Sequence, residues 1–197
     1  MDPRPNRRIL MRPKVLWLEA ALWLVASLTL GYCAFIWERA HYDQARGNWA
    51  LDHAAADIPA ILRPDPEGAL VGRIEVPRLD LSAVVFEGTT EDTLSRGVGH
   101  LTGSALPGGA GNLVLAGHRD TFFRPLKNIR VGDTIKVGGP SGEFDYRVDS
   151  TEIVNPDATE VLEPGNGEKL TLITCYPFSY IGSAPQRFIV TATRLSP

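Results

Sequence analysis

The stretch Thr-Leu-Ile-Thr-Cys-Tyr-Pro-Phe at residues 171–178 decides how this chain folds. Its residues alternate, with Thr171, Ile173 and Cys175 on one face, and this pattern predicts a β-strand. Pro177 cannot continue a paired strand, so Cys175 is expected at the strand end. Rigid scaffolds present reactive groups at strand ends and in the adjoining loops. The position therefore favours a functional thiol over a packing cysteine.

Outward from this strand, the chain from residue 69 offers many short apolar or β-branched runs separated by Gly, Pro, Asn and Asp. This punctuation predicts an all-β domain, either a closed barrel or a sandwich. Two short helices are expected, one capped by Thr89 or Thr90 and one within residues 122–129. The predicted strands are LVGRIEV, LSAVVFE, NLVLAG, DTIKVG, EFDYRVDSTEIV, EKLTLITC and RFIVTATRL.

A histidine follows another of these strands, in NLVLAGHRD at residues 112–120. Of the four histidines, His41 and His53 precede the domain, which leaves His100 and His118 as partners for a thiol. Cysteine chemistry needs a group that stabilises the thiolate and later gives a proton to the leaving amine. His118 is the candidate for this role, and an ordinary hydrogen-bonded surface histidine is the alternative.

Arg187 opens the last predicted strand, with Ile189 and Thr191 on the same face. An arginine that faces inward from an apolar strand is costly unless it is used. It could hold a substrate carbonyl or a developing oxyanion by a charge-assisted hydrogen bond. A plain salt bridge to a carboxylate remains open.

The amino-terminal part of the chain has the pattern of a membrane anchor. A basic tail at residues 1–14 precedes an apolar stretch at residues 15–37, whose one charge is Glu19. At about 1.5 Å per residue this stretch crosses a hydrocarbon core of roughly 30 Å. The positive-inside rule places the tail in the cytoplasm and everything after the anchor outside the cell. A stalk or linker at residues 38–67 and a catalytic domain at residues 68–197 complete the predicted organisation.

Composition excludes several classes of partner and cofactor. The 20 basic and 23 acidic residues give a net charge of -3 with no Lys/Arg-dense stripe, so no nucleic acid is expected. Cys175 and the two domain histidines lack the spacing of zinc ligands, so no metal is expected. The glycines at residues 108–111 lack a following Lys-Ser or Lys-Thr, so they form no phosphate cradle, and no cofactor is predicted.

Three segments together resemble the sortase family. TLITC at residues 171–175 is similar to its Thr-Leu-x-Thr-Cys pattern, LAGHRD at residues 115–120 to its histidine segment, and RFIV at residues 187–190 to its arginine strand. The Gly-rich run at residues 97–112 resembles the family's approach to the histidine strand. The resemblance extends over residues 68–195, and within the family it is closest to the class D and class E groups.

The resemblance implies a closed eight-stranded β-barrel with one or two short helices and catalytic residues Cys175, His118 and Arg187. It implies a membrane-anchored cysteine transpeptidase that cleaves a Leu-x-x-Thr-x sorting signal at Thr through a thioacyl intermediate on Cys175. The implied partners are surface proteins with C-terminal sorting signals and an amine acceptor such as a peptidoglycan precursor. His100 is expected to be structural or to lie near the substrate.

Two other functions share part of this pattern. A cell-wall L,D-transpeptidase would also use cysteine and histidine, but it would carry Ser-x-Gly-Cys where this chain has Ile173, Thr174 and Cys175. A non-catalytic, membrane-anchored module that only binds peptide is the other alternative, and the presence of Cys175, His118 and Arg187 argues against it.

Overall fold

The structure is a computed structural model of the chain, which falls into two compact units, Met1–Arg39 and Ala40–Pro197. The predicted basic tail and the Pro-rich part of the predicted linker lie almost entirely outside the residues that it describes. The described residues are 13–53, 67–139, 141–164, 167–180 and 182–195.

A single long helix, α1, covers Pro13–His53. In the first unit its tryptophans and leucines are exposed on all sides, including Trp17, Trp23 and Leu30. A helix that is apolar all round is stable in a hydrophobic surrounding and not in water. By length and composition α1 is a candidate membrane span, and no part of its most apolar window is buried.

The second unit contains a closed barrel of eight strands in the order β1-β2-β3-β4-β7-β8-β6-β5. Closure pairs every strand on both sides, which removes the exposed edges that an open sheet would leave. The predicted closed barrel with short helices is therefore confirmed. The elements are β1 Leu70–Val76, β2 Leu81–Glu87, α2 Glu91–Arg96, β3 Val98–His100, β4 Gly111–Ala116, β5 Thr134–Gly139, β6 Gly142–Val154, β7 Glu168–Tyr176 and β8 Gln186–Arg194.

The seven predicted strands are found within one residue of their predicted bounds. The eighth, β3, was not predicted, because three residues centred on Gly99 are too short to show a period. Thr90 occupies the N-cap of α2 as predicted, but its hydroxyl makes no capping bond to the backbone and contacts Thr93 Oγ1 at 3.3 Å. The second short helix is a 3₁₀ turn at Arg124–Asn128.

The barrel interior is filled by side chains that alternate along each strand. In β7, Leu170 and Leu172 point into the core, and both are fully buried. Burial of each such side chain stabilises the fold by about 1.5–3 kcal/mol. Since successive strand residues face opposite ways, Ile173 and Cys175 lie on the other face of the same strand. The core also includes Leu113, Leu115, Val190 and Ala192.

An ion pair joins the turn after β1 to the residue that precedes β5. Arg78 donates from Nε and Nη2 to the two oxygens of Asp133, both at 2.5 Å, and the backbone N–H of Arg130 donates to the same carboxylate at 2.8 Å. Asp133 is buried. The guanidinium of Arg78 holds the pKa of Asp133 below its ordinary value.

A depressed pKa makes the contribution of Asp133 dependent on pH. Stability that comes from an ionised carboxylate is fully present above the unfolded pKa of about 3.9 and is lost as pH falls through the lower folded pKa. At pH 7, Asp133→Asn is expected to lower the free energy of unfolding by about 1.5–3 kcal/mol. Denaturant unfolding at several pH values measures this difference, which should shrink below about pH 4.

The exposed Asp149, which accepts a hydrogen bond from Thr193 Oγ1 at 2.6 Å, supplies the control. Asp149→Asn is expected to change the free energy of unfolding by less than about 1 kcal/mol. A loss in Asp133→Asn that is the same at pH 7 and pH 3 would contradict the ionic origin of the contribution.

Candidate active site

Cys175 and Arg187 are directly opposed in the antiparallel pair of β7 and β8. Directly opposed residues share one face of the sheet, with Cβ atoms about 4.5–5.5 Å apart. Cys175 is half-buried and its thiol is free, and Arg187 is also half-buried. The pairing therefore places the side chains of Cys175 and Arg187 on the same face of the sheet, at one end of the barrel.

His118 comes to the same end of the barrel through the parallel pairing of β4 and β7. Beyond the last paired residues, the N–H of Gly117 donates to the carbonyl of Ile173 at 3.1 Å, and Thr174 Oγ1 donates to the carbonyl of Gly117 at 2.7 Å. One residue further along each strand are His118 and Cys175. The parallel strands β4 and β7 therefore lead into His118 and Cys175 at corresponding positions.

Phe123 fixes the backbone around His118 by a hydrogen bond and by the packing of its ring. The N–H of Phe123 donates to the carbonyl of His118 at 3.0 Å, and its ring is fully buried. At Gly117 a Cβ would lie 2.8 Å from that ring, so a larger residue would displace either the ring or the strand end. Glycine at this position lets the two segments pack closely.

The guanidinium of Arg187 turns toward the loop that precedes it. Its Nη1 donates to the carbonyls of Gln186 at 3.0 Å and Ala184 at 3.3 Å. Within the part of the chain that the structure describes, Arg187 makes no ion pair with a carboxylate. The assumption that Arg187 faces inward is wrong, because the alternate residues Phe188 and Val190 contact the core.

Sequence reasoning missed two contacts near His118. Arg119 Nη2 donates to the carbonyls of Tyr180 at 2.8 Å and Gly182 at 2.9 Å, joining the segment after β4 to the loop after β7. Glu91 Oε1 lies 3.4 Å from His118 Nε2. The sequence does show a basic residue after the histidine and acidic residues in the first turn of α2. Neither feature identifies a contact with a residue that is distant in the chain.

His100 has a different environment from His118. It is 2% exposed, its Nδ1 lies 2.6 Å from Glu87 Oε2, and its Nε2 lies 2.9 Å from Ser104 Oγ. Thr102 Oγ1 donates to the other oxygen of Glu87 at 2.7 Å. This buried network fixes the loop after β3 and gives His100 structural partners.

The candidate site lies at the strand ends, on the face of β7 and β8 that is turned away from the core. Two cavities of about 190 and 590 Å³ lie elsewhere on the barrel, and neither is lined by Cys175, His118 or Arg187. Among the described residues, no group of three or more His, Cys, Asp and Glu side chains could hold a metal ion.

Comparison with known proteins gives a consistent result. The model of the sortase family, described as "Sortase domain", matches residues 74–195 of this chain. The chain is 40% identical over 130 residues to Sortase D of Bacillus subtilis (strain 168). The aligned segment covers 66% of this chain and 66% of that protein. It is 34% identical over 161 residues to Sortase SrtE1 of Streptomyces coelicolor. This alignment covers 71% of this chain and 45% of that protein.

A solved structure of a Clostridium perfringens sortase D5 transpeptidase has a TM-score of 0.71 to this chain, covering 81% of it and 99% of that chain. At 24% identity this likeness shows the fold alone. The chain spans 66% of the length of Sortase D and 45% of that of Sortase SrtE1. The predicted resemblance to class D and class E sortases is confirmed. Because the family match extends over more than half of its residues, the chain belongs to the sortase family.

Proposed function

We propose that this sortase is a cell-surface transpeptidase in which Cys175 is the nucleophile, His118 the proton carrier and Arg187 the electrostatic partner of the substrate carbonyl. The observation that carries the proposal is the register of three strands. Arg187 lies directly opposite Cys175, and the pairing of β4 with β7 brings His118 alongside. The family match leaves the L,D-transpeptidase alternative without support.

In the proposed first step, the thiolate of Cys175 attacks the Thr carbonyl carbon of a Leu-x-x-Thr-x signal. A C–S bond forms and the carbonyl electron pair moves onto oxygen, where the guanidinium of Arg187 donates a hydrogen bond to the oxyanion. When the intermediate collapses, the C–N bond breaks and the imidazolium of His118 gives its proton to the leaving amine. The product is a thioester on Cys175.

In the second step, an amine such as that of a peptidoglycan precursor attacks the thioester carbon. His118, now neutral, accepts the proton of the attacking amine, and the C–S bond breaks to restore the thiolate. The surface protein is then joined to the acceptor by an amide bond. The exchange needs no external energy, because one amide bond is broken and another is formed. The thioester reacts readily with the amine, because a thiolate is a better leaving group than an amide nitrogen.

A membrane location with the barrel outside the cell fits such substrates. The basic tail before α1 and its apolar span support an orientation with the amino terminus in the cytoplasm. Protease added to intact cells is expected to release the domain at residues 68–197, which immunoblotting detects. Complete protection of the domain until the cells are lysed would contradict this orientation.

The proposed reaction is tested by incubating the full-length protein with a library of Leu-x-x-Thr-x peptides, with and without an amine acceptor. Mass spectrometry is expected to find the peptide cleaved after Thr and its amino-terminal part joined to the acceptor. Omitting the acceptor should leave slow hydrolysis. Binding of peptides without any cleaved product would favour the non-catalytic binding module.

A further inference from the structure

The last part of α1, at residues 40–53, packs on the outside of the barrel within the second unit. Gln44 Oε1 accepts a hydrogen bond from the backbone N–H of Val84 at 2.8 Å, and Gln44 Nε2 donates to the carbonyl of Arg96 at 2.7 Å. Arg96 Nε in turn donates to Asp43 at 2.9 Å. Gly47 is buried against the side chain of Val84. This segment was predicted to be stalk, and polar contacts explain why it shows no apolar face.

The contact of Gln44 with Val84 satisfies a backbone N–H of β2 that β3 does not reach. Strand β3 begins at Val98, which pairs with Val85, so Val84 lies just beyond the reach of β3. The side-chain amide of Gln44 supplies the acceptor for the N–H of Val84. An unpaired backbone N–H in a buried setting is unfavourable, so this contact favours the docked helix.

A second cluster holds the same helix further along. Arg73 Nε donates to Asn48 Oδ1 at 2.9 Å, and Arg73 Nη2 donates to Asp52 Oδ1 at 2.9 Å. The contact residues of both clusters recur on one side of α1. They are Asp43, Gln44, Gly47, Asn48 and Asp52.

The docked helix is connected to the candidate site through α2. Arg96, the last residue of α2, makes the ion pair with Asp43, and Glu91, the first residue of α2, lies 3.4 Å from His118 Nε2. The side chains of Asp43 and Arg96 are 18% and 21% exposed, so their pairing is shielded from solvent. The side chain of Glu91 is 87% exposed, so its contact with His118 adds little to stability.

We infer that Asp43 and Gln44, on the helix that follows the apolar span, are positioning residues for His118, acting through Arg96 and Glu91 at the two ends of α2. This inference rests on the proposed function in assigning His118 a role in the reaction. It predicts that displacing the helix from the barrel changes the surroundings of the His118 imidazole and lowers the turnover of substrate. It makes the catalytic unit larger than the barrel alone.

Gly47→Leu displaces the helix without altering a barrel residue. A Cβ at Gly47 would lie 2.8 and 3.0 Å from the two methyl groups of Val84. Gly31→Leu, in the same helix, is the matched control, because a Cβ there meets no atom within 4 Å. Both substitutions replace a helical glycine by leucine, and the clash with Val84 arises at position 47 and not at position 31.

The first measurement is the imidazole NMR signal of His118 in the full-length, histidine-labelled protein in detergent micelles, assigned with a His118→Gln variant. Gly47→Leu is expected to shift this signal, and Gly31→Leu is expected to leave it unchanged. An unshifted His118 signal in Gly47→Leu would overturn the inference. This readout needs no substrate, so it stands even when the wild-type protein transfers no peptide.

The second measurement is a double-mutant cycle on turnover. Gly47→Leu and Glu91→Ala are each expected to lower kcat about tenfold with little change in KM, since small displacements of a catalytic group are costly. Together they should lower kcat no more than the larger single effect, because both interrupt one connection. Independent, multiplicative losses would show that the helix does not act through Glu91 and would overturn the inference.

Discussion

Cys175→Ala is expected to abolish transpeptidation, with kcat/KM falling on the order of 10⁴-fold or more, because residues 68–197 contain no other cysteine that could form the thioester. The barrel should fold normally, since Cys175 is half-buried on the face away from the core and its loss leaves no core cavity. Product formation by mass spectrometry and thermal unfolding by circular dichroism measure the two effects separately.

The chain supplies its own control in Cys33, the other free cysteine, which is exposed on α1. Cys33→Ala is expected to transfer peptide at the wild-type rate. Turnover in Cys175→Ala above one tenth of the wild-type value would remove Cys175 as the nucleophile.

Arg187→Lys is expected to fold normally and to lower kcat about 10²–10³-fold. The planar guanidinium of Arg187 has several N–H groups, and Nη1 is already engaged by the carbonyls of Gln186 and Ala184. Among the described residues the other N–H groups of Arg187 have no hydrogen-bond partner, and they can face a substrate oxygen in a fixed orientation. A lysine ammonium on a flexible stem does not reproduce that geometry. Steady-state kinetics with a cleaved peptide measure the loss.

Arg194→Lys, on the same strand, is the matched control. The guanidinium of Arg194 pairs with Glu168 and lies over the ring of Phe144, at the end of β8 away from Arg187. This variant is expected to lose some stability while keeping kcat within about twofold, because it acts on packing and not on the transition state. Equal losses of kcat in the two variants would mean that Arg187 contributes through the fold.

Much of the barrel could be predicted from local pattern, because alternation shows directly in the sequence. In β7, Leu170 and Leu172 fill the core while Cys175 lies on the opposite face, as period-two alternation requires. Strand β3 escaped prediction because Gly99 interrupts a segment of only three residues. Pairing of β3 is determined by its neighbours β2 and β4, and such non-local information has no local signature.

The candidate site was predicted through motifs, and its surroundings were not. Cys175, His118 and Arg187 are brought to the same end of the barrel, although the assumed inward direction of Arg187 was wrong. The contacts of Arg119 with the loop after β7, and of Glu91 with His118, join residues far apart in the chain. Charged side chains are common on surfaces, so their sequence positions alone do not identify partners.

The helix contacts show the same limit. Residues 40–53 carry no apolar stripe, which favoured a separate stalk in the sequence, yet Gln44 and Asn48 join this segment to the barrel by hydrogen bonds. Amphipathic patterns report hydrophobic packing and do not report polar docking. Only the three-dimensional structure brings α1 beside Arg73 and Arg96.

The most direct test of the central claim is the intact mass of the full-length protein quenched in acid during reaction with a Leu-x-x-Thr-x peptide. We expect a species heavier by the amino-terminal part of the peptide through Thr, mapped to Cys175 by digestion and lost when an amine acceptor is added. A cleaved peptide without any adduct on Cys175, or an adduct that maps to another residue, would contradict the account.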